Sequence, residues 1–445
     1  MSAIGKDLPG PDLGTALSEL AGAAQLRRVE MVAWRDLGHP EAGGSELHAT
    51  RVAERWAQAG VDVTMKASRA PASPPVDSYG GFRVTRPGRR YGVFPTVAWE
   101  GFARRSKNRP DGLVEIWNGL PFLSPLWAGC ARTVFLHHVH EGMWDLTLPA
   151  PLAAAGRLIE VRIAPRFYRS TPIVTLSESS RQRIIQVMGL DPAQIRVVEP
   201  GVDPRYSPLG PRSERPFFVA VGRLMPYKRF DLLIDALVAT QATHESLEAV
   251  IVGEGQERAA LQARIDAHGA GGWLRMTGHL DGEALLATYR RAWAVLSASA
   301  FEGWGMTLTE AAACGTPAVA SRIAGHSDAV HDGTSGLLFD DREQLEGALR
   351  SLIDRPDLRR RLQSGAAQRA LALTWDRTAL GTMESLAADA IRRNAGALGA
   401  IPPSANGNSH RDAMPLRRSR SGAPAAPVAV PHELTTASRP RKPRA

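Results

Sequence analysis

Ala294-Val295-Leu296-Ser297 leads into Phe301-Glu302-Gly303-Trp304-Gly305-Met306-Thr307-Leu308-Thr309-Glu310, then Ala311-Ala312-Ala313-Cys314-Gly315-Thr316 and Pro317-Ala318-Val319-Ala320. The two outer pieces read as short buried strands. The part between them reads as a Gly-rich loop and a helix that starts near Gly305 or Met306. Strand, loop, helix and strand in that order form the repeating unit of a parallel α/β sheet. The first N–H groups of the helix lack intrahelical partners and face the loop, so its glycine-bearing mouth suits an anion, above all phosphate. Glu302 and Glu310 have the opposite preference: they repel phosphate and accept hydrogen bonds from hydroxyls. Phosphate on amides and hydroxyls on carboxylates together describe a sugar nucleotide. Taken alone, the same residues also fit a surface loop and an amphipathic helix.

The pattern continues on both sides. Val29-Glu30-Met31-Val32-Ala33-Trp34 reads as a strand, followed by a Gly-rich loop, a helix over about Ser45 to Gln58 and a strand at Val61 to Met65. Val114 to Trp117, Thr133 to Leu136 and Ile173 to Leu176 follow. The alternation restarts at Phe217 to Val221, with a basic loop and an apolar helix over about Phe230 to Ala239, then Ala249 to Val252. Two successive runs predict two doubly wound parallel sheets joined near the Pro-rich stretch Pro204 to Pro216. Ligands of such sheets sit beyond the carboxyl ends of the strands, so two facing sheets put their Gly-rich loops on opposite walls of one cleft.

Size and composition agree. At 445 residues the chain exceeds one ordinary core, and its 44% hydrophobic and 22% charged residues are those of a globular protein. No apolar run is long enough to span a bilayer, and Met1 to Leu26 lacks a signal-peptide core. Two cysteines, Cys130 and Cys314, suit a reducing cytoplasm and offer neither a disulfide framework nor a metal site. Of the net charge of +9, residues from Ile401 onward carry +6, and the body only +3. That tail is rich in Pro, Ala, Ser and Arg, too poor in apolar residues to fold, and fits either a solvated extension or contact with an anionic surface. It has no Phe, Trp or Tyr on which bases could stack, which argues against a nucleic-acid binder.

Candidate residues gather at predicted strand ends. Gly43-Gly44-Ser45-Glu46 fits a tight turn or a close approach to phosphate. Gly222-Arg223-Leu224-Met225-Pro226-Tyr227-Lys228-Arg229 offers a planar fork and a point charge, Arg223 and Lys228, suited to a diphosphate. His137, His138 and His140 end a strand; their spacing matches no helical zinc motif, and hydrogen bonding to sugar hydroxyls suits them better.

Together these motifs resemble the family-4 retaining glycosyltransferases of the GT-B fold, over roughly residues 28–390. The resemblance rests on the Glu302-to-Glu310 motif with its Ala-Cys-Gly-Thr-Pro continuation, on Val221 to Leu224 with Lys228, on Gly43-Gly44, on Val198 to Asp203, and on Asp332 to Phe339. It implies a GT-B fold of two Rossmann-like domains facing across a cleft. The implied organisation is an extension over 1–27, an acceptor domain over 28–205, a linker over 206–215 and a nucleotide-sugar domain over 216–375. A helix over 376–398 then packs back on the first domain, before a disordered basic tail over 399–445.

By the same resemblance, Arg223 and Lys228 hold the diphosphate, Glu310 takes the ribose hydroxyls, and Glu302 binds the donor sugar with the backbone of Gly303, Trp304, Gly305, Met306 and Thr307. Gly43 and Gly44 approach the phosphate from the other wall. His137 meets the donor sugar, with His138 in reserve. Gly253-Glu254-Gly255 and Gly278-His279-Leu280 flank the nucleobase. The implied activity is retaining, metal-independent transfer of a hexose from a GDP- or UDP-sugar, with no further cofactor, to a glycan or lipid-linked acceptor. Tyr227 to Asp231 tilts the donor toward GDP-mannose. No Asp-x-Asp is present. The leaving phosphate, rather than Glu302, is expected to receive the acceptor proton. A sugar-nucleotide epimerase, a phosphorylase or a non-catalytic GT-B subunit are the alternatives; retention of Glu302, Arg223 and Lys228 weighs against the last. The segment from Arg89-Arg90-Tyr91 to Arg104-Arg105-Ser106-Lys107 interleaves Phe94, Trp99 and Phe102 with basic residues. It fits an interfacial membrane helix at the inner face of a membrane, or an ordinary amphipathic helix.

Overall fold

Runs of buried β-branched and aliphatic residues become two sheets, one per half of the chain. The computed structural model describes residues 13–399 apart from 72 and 105–107. Arg105 to Lys107 and the basic tail beyond Gly399 therefore lie outside the described residues. In the first half, α1 (Leu13–Ala23), β1 (Arg28–Val32), α2 (Gly44–Gln58), β2 (Asp62–Arg69), β3 (Val76–Tyr79), β4 (Phe82–Arg89) and α3 (Val93–Ala103) are followed by β5 (Gly112–Trp117) and β6 (Ala131–Leu136). Then come α4 (Glu141–Thr147), α5 (Ala150–Leu158), β7 (Ile173–Thr175), α6 (Glu178–Met188) and β8 (Ile195–Val197). The second half holds β9 (Phe217–Val221), α7 (Phe230–Gln241), β10 (Glu248–Val252), α8 (Arg258–Ala267), β11 (Leu274–Gly278), α9 (Gly282–Arg291) and β12 (Ala294–Ser297). It continues with α10 (Met306–Ala313), β13 (Ala318–Ser321), α11 (His326–Ala329), β14 (Gly336–Phe339), α12 (Arg342–Asp354), α13 (Pro356–Ala370) and α14 (Trp375–Gly399).

The first sheet runs β3-β4-β2-β1-β5-β6-β7-β8, parallel except for the β3–β4 hairpin. The second runs β11-β10-β9-β12-β13-β14 and is parallel throughout. Strand order reverses at β1, between β2 and β5, and at β9, between β10 and β12. A crevice opens beyond the carboxyl end of a strand at such a reversal. The loop after β1 carries Gly43 and Gly44, and the loop after β9 carries Arg223 and Lys228, so topology alone brings these two loops to the two crevices.

The hairpin of β3 and β4 is an addition to the sequence reading. β3 is the edge strand and β4 lies between it and β2; both show alternating exposure, and no continuous apolar run marks β3. Gly80 and Gly81, with φ of 48° and 90°, make the turn between them.

α14 crosses from the second half and completes the first core. Ala379, Met383, Leu386, Ala387 and Ala390 pack among residues of α1, α2 and the first sheet. Polar bonds fix its register: Trp56 Nε1 donates to the Ala379 carbonyl at 2.9 Å, and the Arg132 N–H donates to Asp389 at 2.9 Å. Leu386 fills the space that a side chain at Gly112 would need. We expect Leu386→Ala to cost about 2–5 kcal/mol in a urea unfolding titration, by lost burial plus a cavity that the sheet cannot collapse to fill.

Candidate active site

The turn into α2 is built by Glu46, in the third position of the helix. Its carboxylate is buried, accepts the Gly43 N–H at 2.8 Å and the Ser45 hydroxyl at 2.9 Å, and pairs with Arg35 at 3.2 Å. A glutamate at this position is the helix-capping pattern, the signal by which Glu46 is legible in the sequence. The pinned Gly43-Gly44 turn faces the second lobe. A Cβ on Gly43 would lie 3.6 Å from the Arg223 guanidinium, and one on Gly44 would lie 3.2 Å from Met306 Sδ. The sequence-predicted phosphate residues of the two lobes therefore meet across a narrow gap.

On the second wall, Gly305 has φ of 104°, a conformation that costs glycine little, and turns the chain into α10. The carbonyl of His137 and the ring of His138 press on Gly303, where a Cβ would sit 2.8 and 3.3 Å from them. Ser177 Oγ also donates to the Gly303 carbonyl at 3.2 Å. Glu302 Oε1 accepts hydrogen bonds from Lys228 and from the Ser299 hydroxyl, the latter at 3.0 Å. Burial works against charge on Glu302, but Lys228, then His326, outweigh it and hold its carboxyl below the usual range. Arg223 is exposed and has no carboxylate partner among the described residues; its nearest acceptors are the Glu41 carbonyl and the Tyr227 hydroxyl, each at 3.5 Å. It is thus the cation at this gap with its charge unspent.

Glu310, one helical turn and more from the mouth of α10, is partly buried and accepts the Tyr289 hydroxyl at 3.2 Å. Burial pushes its carboxyl up to about 7, while Tyr289 and Arg205 pull the other way. The loops of Gly253 to Gly255 and of Gly278 adjoin, since a Cβ on Gly278 would meet Glu254 Oε1 at 2.8 Å. Gly253 lies against the Gly222 carbonyl so closely that only glycine fits there. Leu280 leans on the core beside them.

The Trp304 side chain is 2% exposed, in the core beneath α10, so it is the backbone of this residue that belongs to the loop. In the segment that interleaves aromatic with basic residues, Phe94 turns inward and stacks on Phe122 at 4.4 Å, leaving Trp99 and Phe102 outward.

The histidines divide. The His137 ring is buried and bonded to His48 Nδ1 at 3.2 Å. Burial, with His138 and His140 beside it, holds it down to about 3, and burial also keeps His48 and His138 well below 6.5. All three are neutral at pH 7. His140 is clamped: its Nδ1 lies 3.2 Å from Glu160, its Nε2 2.8 Å from Asn118 Oδ1, and its ring stacks on His138. Asn118 reaches on to Ser45 at 3.3 Å. Glu160 sits at the start of a π-helical turn over Ile159–Ile163, fully buried, and also accepts Trp144 Nε1 at 2.8 Å. Such a turn re-aims one side chain inward, and no local pattern in Ala150 to Ile163 announces it. Glu160→Ala should cost about 1–3 kcal/mol in thermal unfolding, because it strands the Trp144 and His140 donors; Glu160→Gln should recover part of that loss.

Residues 42–206 match the model described as Glycosyltransferase Family 4, and residues 207–369 that described as Glycosyl transferases group 1. The D-inositol 3-phosphate glycosyltransferase of Salinispora arenicola is 30% identical over 395 residues, covering 78% of this chain and 87% of that one. The enzyme of the same name from Frankia alni is 33% identical over 237 residues, 48% of this chain, and the match spans only 58% of its length. Among solved structures, the sucrose-phosphate synthase of Thermosynechococcus elongatus superposes with a TM-score of 0.68 at 20% identity, over 84% of this chain and all of that one. Anabaena HepE, solved with UDP and glucose, gives a TM-score of 0.62 at 17% identity, over 84% of this chain and 100% of its own. These structures share the fold of two facing α/β domains. With both halves matched in order and a relative at this identity covered nearly end to end, the chain belongs to the group 1, family 4 glycosyltransferases of the GT-B fold.

Proposed function

We propose that this protein moves a hexose from a nucleoside diphosphate sugar to a hydroxyl of a glycan or lipid-linked acceptor, with retention at the anomeric carbon and without a metal ion. The observation that carries this reading is the meeting of Gly43 and Gly44 with Arg223 and Met306, beside the Lys228–Glu302 pair at the mouth of α10. Cleaving the donor leaves negative charge on the β-phosphate. Arg223, Lys228 and the free amides of α10 supply fixed positive potential there, which favours the transition state, where that charge grows, over the bound donor. Both bonds to Glu302 fall on Oε1, so Oε2 is left to accept a hydroxyl of the donor sugar. The neutral histidines 137 and 138 close the sugar's other side. Glu310 accepts the ribose hydroxyls. The departing phosphate takes the acceptor proton on the same face, so no side-chain nucleophile enters.

The UDP and glucose bound in the HepE structure make UDP-glucose a donor to try, beside GDP-mannose, which Tyr227 to Asp231 favours. The Salinispora relative's name adds D-inositol 3-phosphate to the acceptors worth trying. The test is a screen of UDP-glucose, UDP-N-acetylglucosamine and GDP-mannose by thermal shift and donor hydrolysis. One donor is expected to raise the melting midpoint and to be hydrolysed slowly. No shift and no hydrolysis with any of them would remove the transferase reading in favour of a non-catalytic subunit.

A further inference from the structure

One face of the first sheet carries the odd chemistry of this molecule. Along β5, Leu113, Glu115 and Trp117 point to one side, and Val114 and Ile116 to the other. Leu113 packs with Val93 and Val97 of α3, and Trp117 with Ala164 and Tyr168 after α5, whereas Val114 and Ile116 pack with α1, α2 and α14. Thus α3, the turn at Ser124–Leu126 and the α5 region all cover the same face.

These elements are apolar on the inside, as they must be, but they are also apolar on the outside. The inner side of α3 is spent on Val93, Val97 and Gly101, the last pressed so tightly on the Trp127 ring that no side chain fits between. The outer side still shows Trp99, 75% exposed, and Phe102, 63% exposed. Leu126, Leu152, Leu158 and Phe167, on the other elements that cover this face, are exposed as well. Of the fourteen large apolar side chains exposed among the described residues, eight lie between Tyr91 and Phe167, so the exposure is concentrated.

The charge on these elements has one sign. Every acid on α3, α4, α5 and the turns after α5 is taken: Glu100 by Lys66 and Arg104, Glu141 by Arg183, Asp145 by Arg157, and Glu160 is buried on His140. Arg89, Arg162, Arg166 and Arg169 are exposed and have no carboxylate partner among the described residues. Aromatic and aliphatic side chains among unpaired arginines match the boundary of a bilayer that bears anionic lipid: the apolar groups enter the acyl edge and the guanidiniums meet phosphates. No described helix is long and apolar enough to cross a membrane, so the contact is one that lies on the surface.

We propose that this face, from α3 to the turns after α5, docks the protein on an anionic lipid bilayer. The placement also serves the proposed reaction. Tyr91, at the start of α3, stacks on Trp34 at 5.8 Å, and Trp34 Nε1 donates to the Arg90 carbonyl at 3.0 Å, next to the loop that ends in Gly43. The docked face therefore borders the sugar-transfer gap, and a lipid-linked acceptor reaches it from the bilayer; this last step alone rests on the transferase reading.

The test uses the full chain with vesicles of phosphatidylcholine alone and of phosphatidylcholine with 30% phosphatidylglycerol. The unmodified protein should co-sediment with the anionic vesicles and not with the neutral ones. Trp99→Ser/Phe102→Ser and, separately, Arg162→Glu/Arg166→Glu should each lower the partition at least tenfold. Melting midpoints and donor hydrolysis in solution should stay unchanged, which keeps the result apart from the fate of the transferase reading. Absence of wild-type co-sedimentation would overturn the proposal. So would variants that partition as well as wild type, which would place the binding in the basic tail. Variants that leave partition intact but turn a dimer into a monomer in size exclusion would make the face a contact between two copies instead.

Discussion

Lys228→Ala and Arg223→Ala are each expected to lower kcat by about 10²–10³-fold, the usual cost of removing one preorganised group from a developing anion. The two substitutions differ in what they leave behind. Arg223 is exposed and bonded only weakly, to a carbonyl and a hydroxyl at 3.5 Å. Its removal should leave the melting midpoint in place, so a loss of turnover reports charge stabilisation directly. Lys228 is paired with Glu302, and its removal strands a partly buried carboxylate, which itself destabilises and distorts. The double variant Lys228→Ala/Glu302→Gln separates the two effects. It removes the stranded charge and should recover stability, but turnover should stay low if Lys228 acts on the leaving diphosphate. Recovery of kcat in the double variant would mean that the lysine serves only to hold Glu302. Full activity in both single variants would refute the diphosphate site.

How much of this was open to sequence reading follows from where each signal lies along the chain. The parallel strands are buried on both faces, so β1, β5, β6, β9, β10 and β12 appear as short, mostly apolar runs and can be placed within a few residues. The edge pieces are different: β3 is half exposed and β8 has three residues, too short for any period to show. The mouth of α10 was legible because glycine and helix start are local. Its closest partners were not, since Gly303 meets His137 and His138 only after two domains fold and face one another. Trp304 shows the limit most clearly. The loop pattern speaks only for its backbone; tertiary packing is what turns its ring into the core, beneath the Arg369 guanidinium at 5.7 Å. Glu160 was beyond reach because a π-helical turn, not a residue pattern, aims it.

Glu310 carries the second large effect, and its pH dependence gives the sign. Burial lifts its carboxyl from 4.5 to about 7 in the folded protein. A raised acid favours the protonated folded state, so its contribution to stability is full below about pH 4.5 and is lost as pH climbs to 7. The shift corresponds to an upper figure on the order of 3 kcal/mol between those limits. Glu310→Gln should flatten that part of the urea-unfolding profile and leave the variant more stable than wild type at pH 8. Binding should run the opposite way. Above pH 7 the carboxylate can accept two ribose hydroxyls at once, and charge-assisted bonds of this kind are the stronger ones. The donor KM should therefore fall between pH 6 and pH 8 in the wild type. In Glu310→Gln it should be flat and roughly 10–100-fold higher at pH 8, the loss of about 1.5–3 kcal/mol of charged hydrogen bonding. A residue that only packs would show the stability change without the change in KM. If the unfolding profile flattens while the donor KM and its pH dependence stay as in wild type, Glu310 is a buried acid of the second core and the ribose lies elsewhere. If both change together, the protein tolerates an ionised, partly buried carboxylate at neutral pH because the donor's hydroxyls satisfy it.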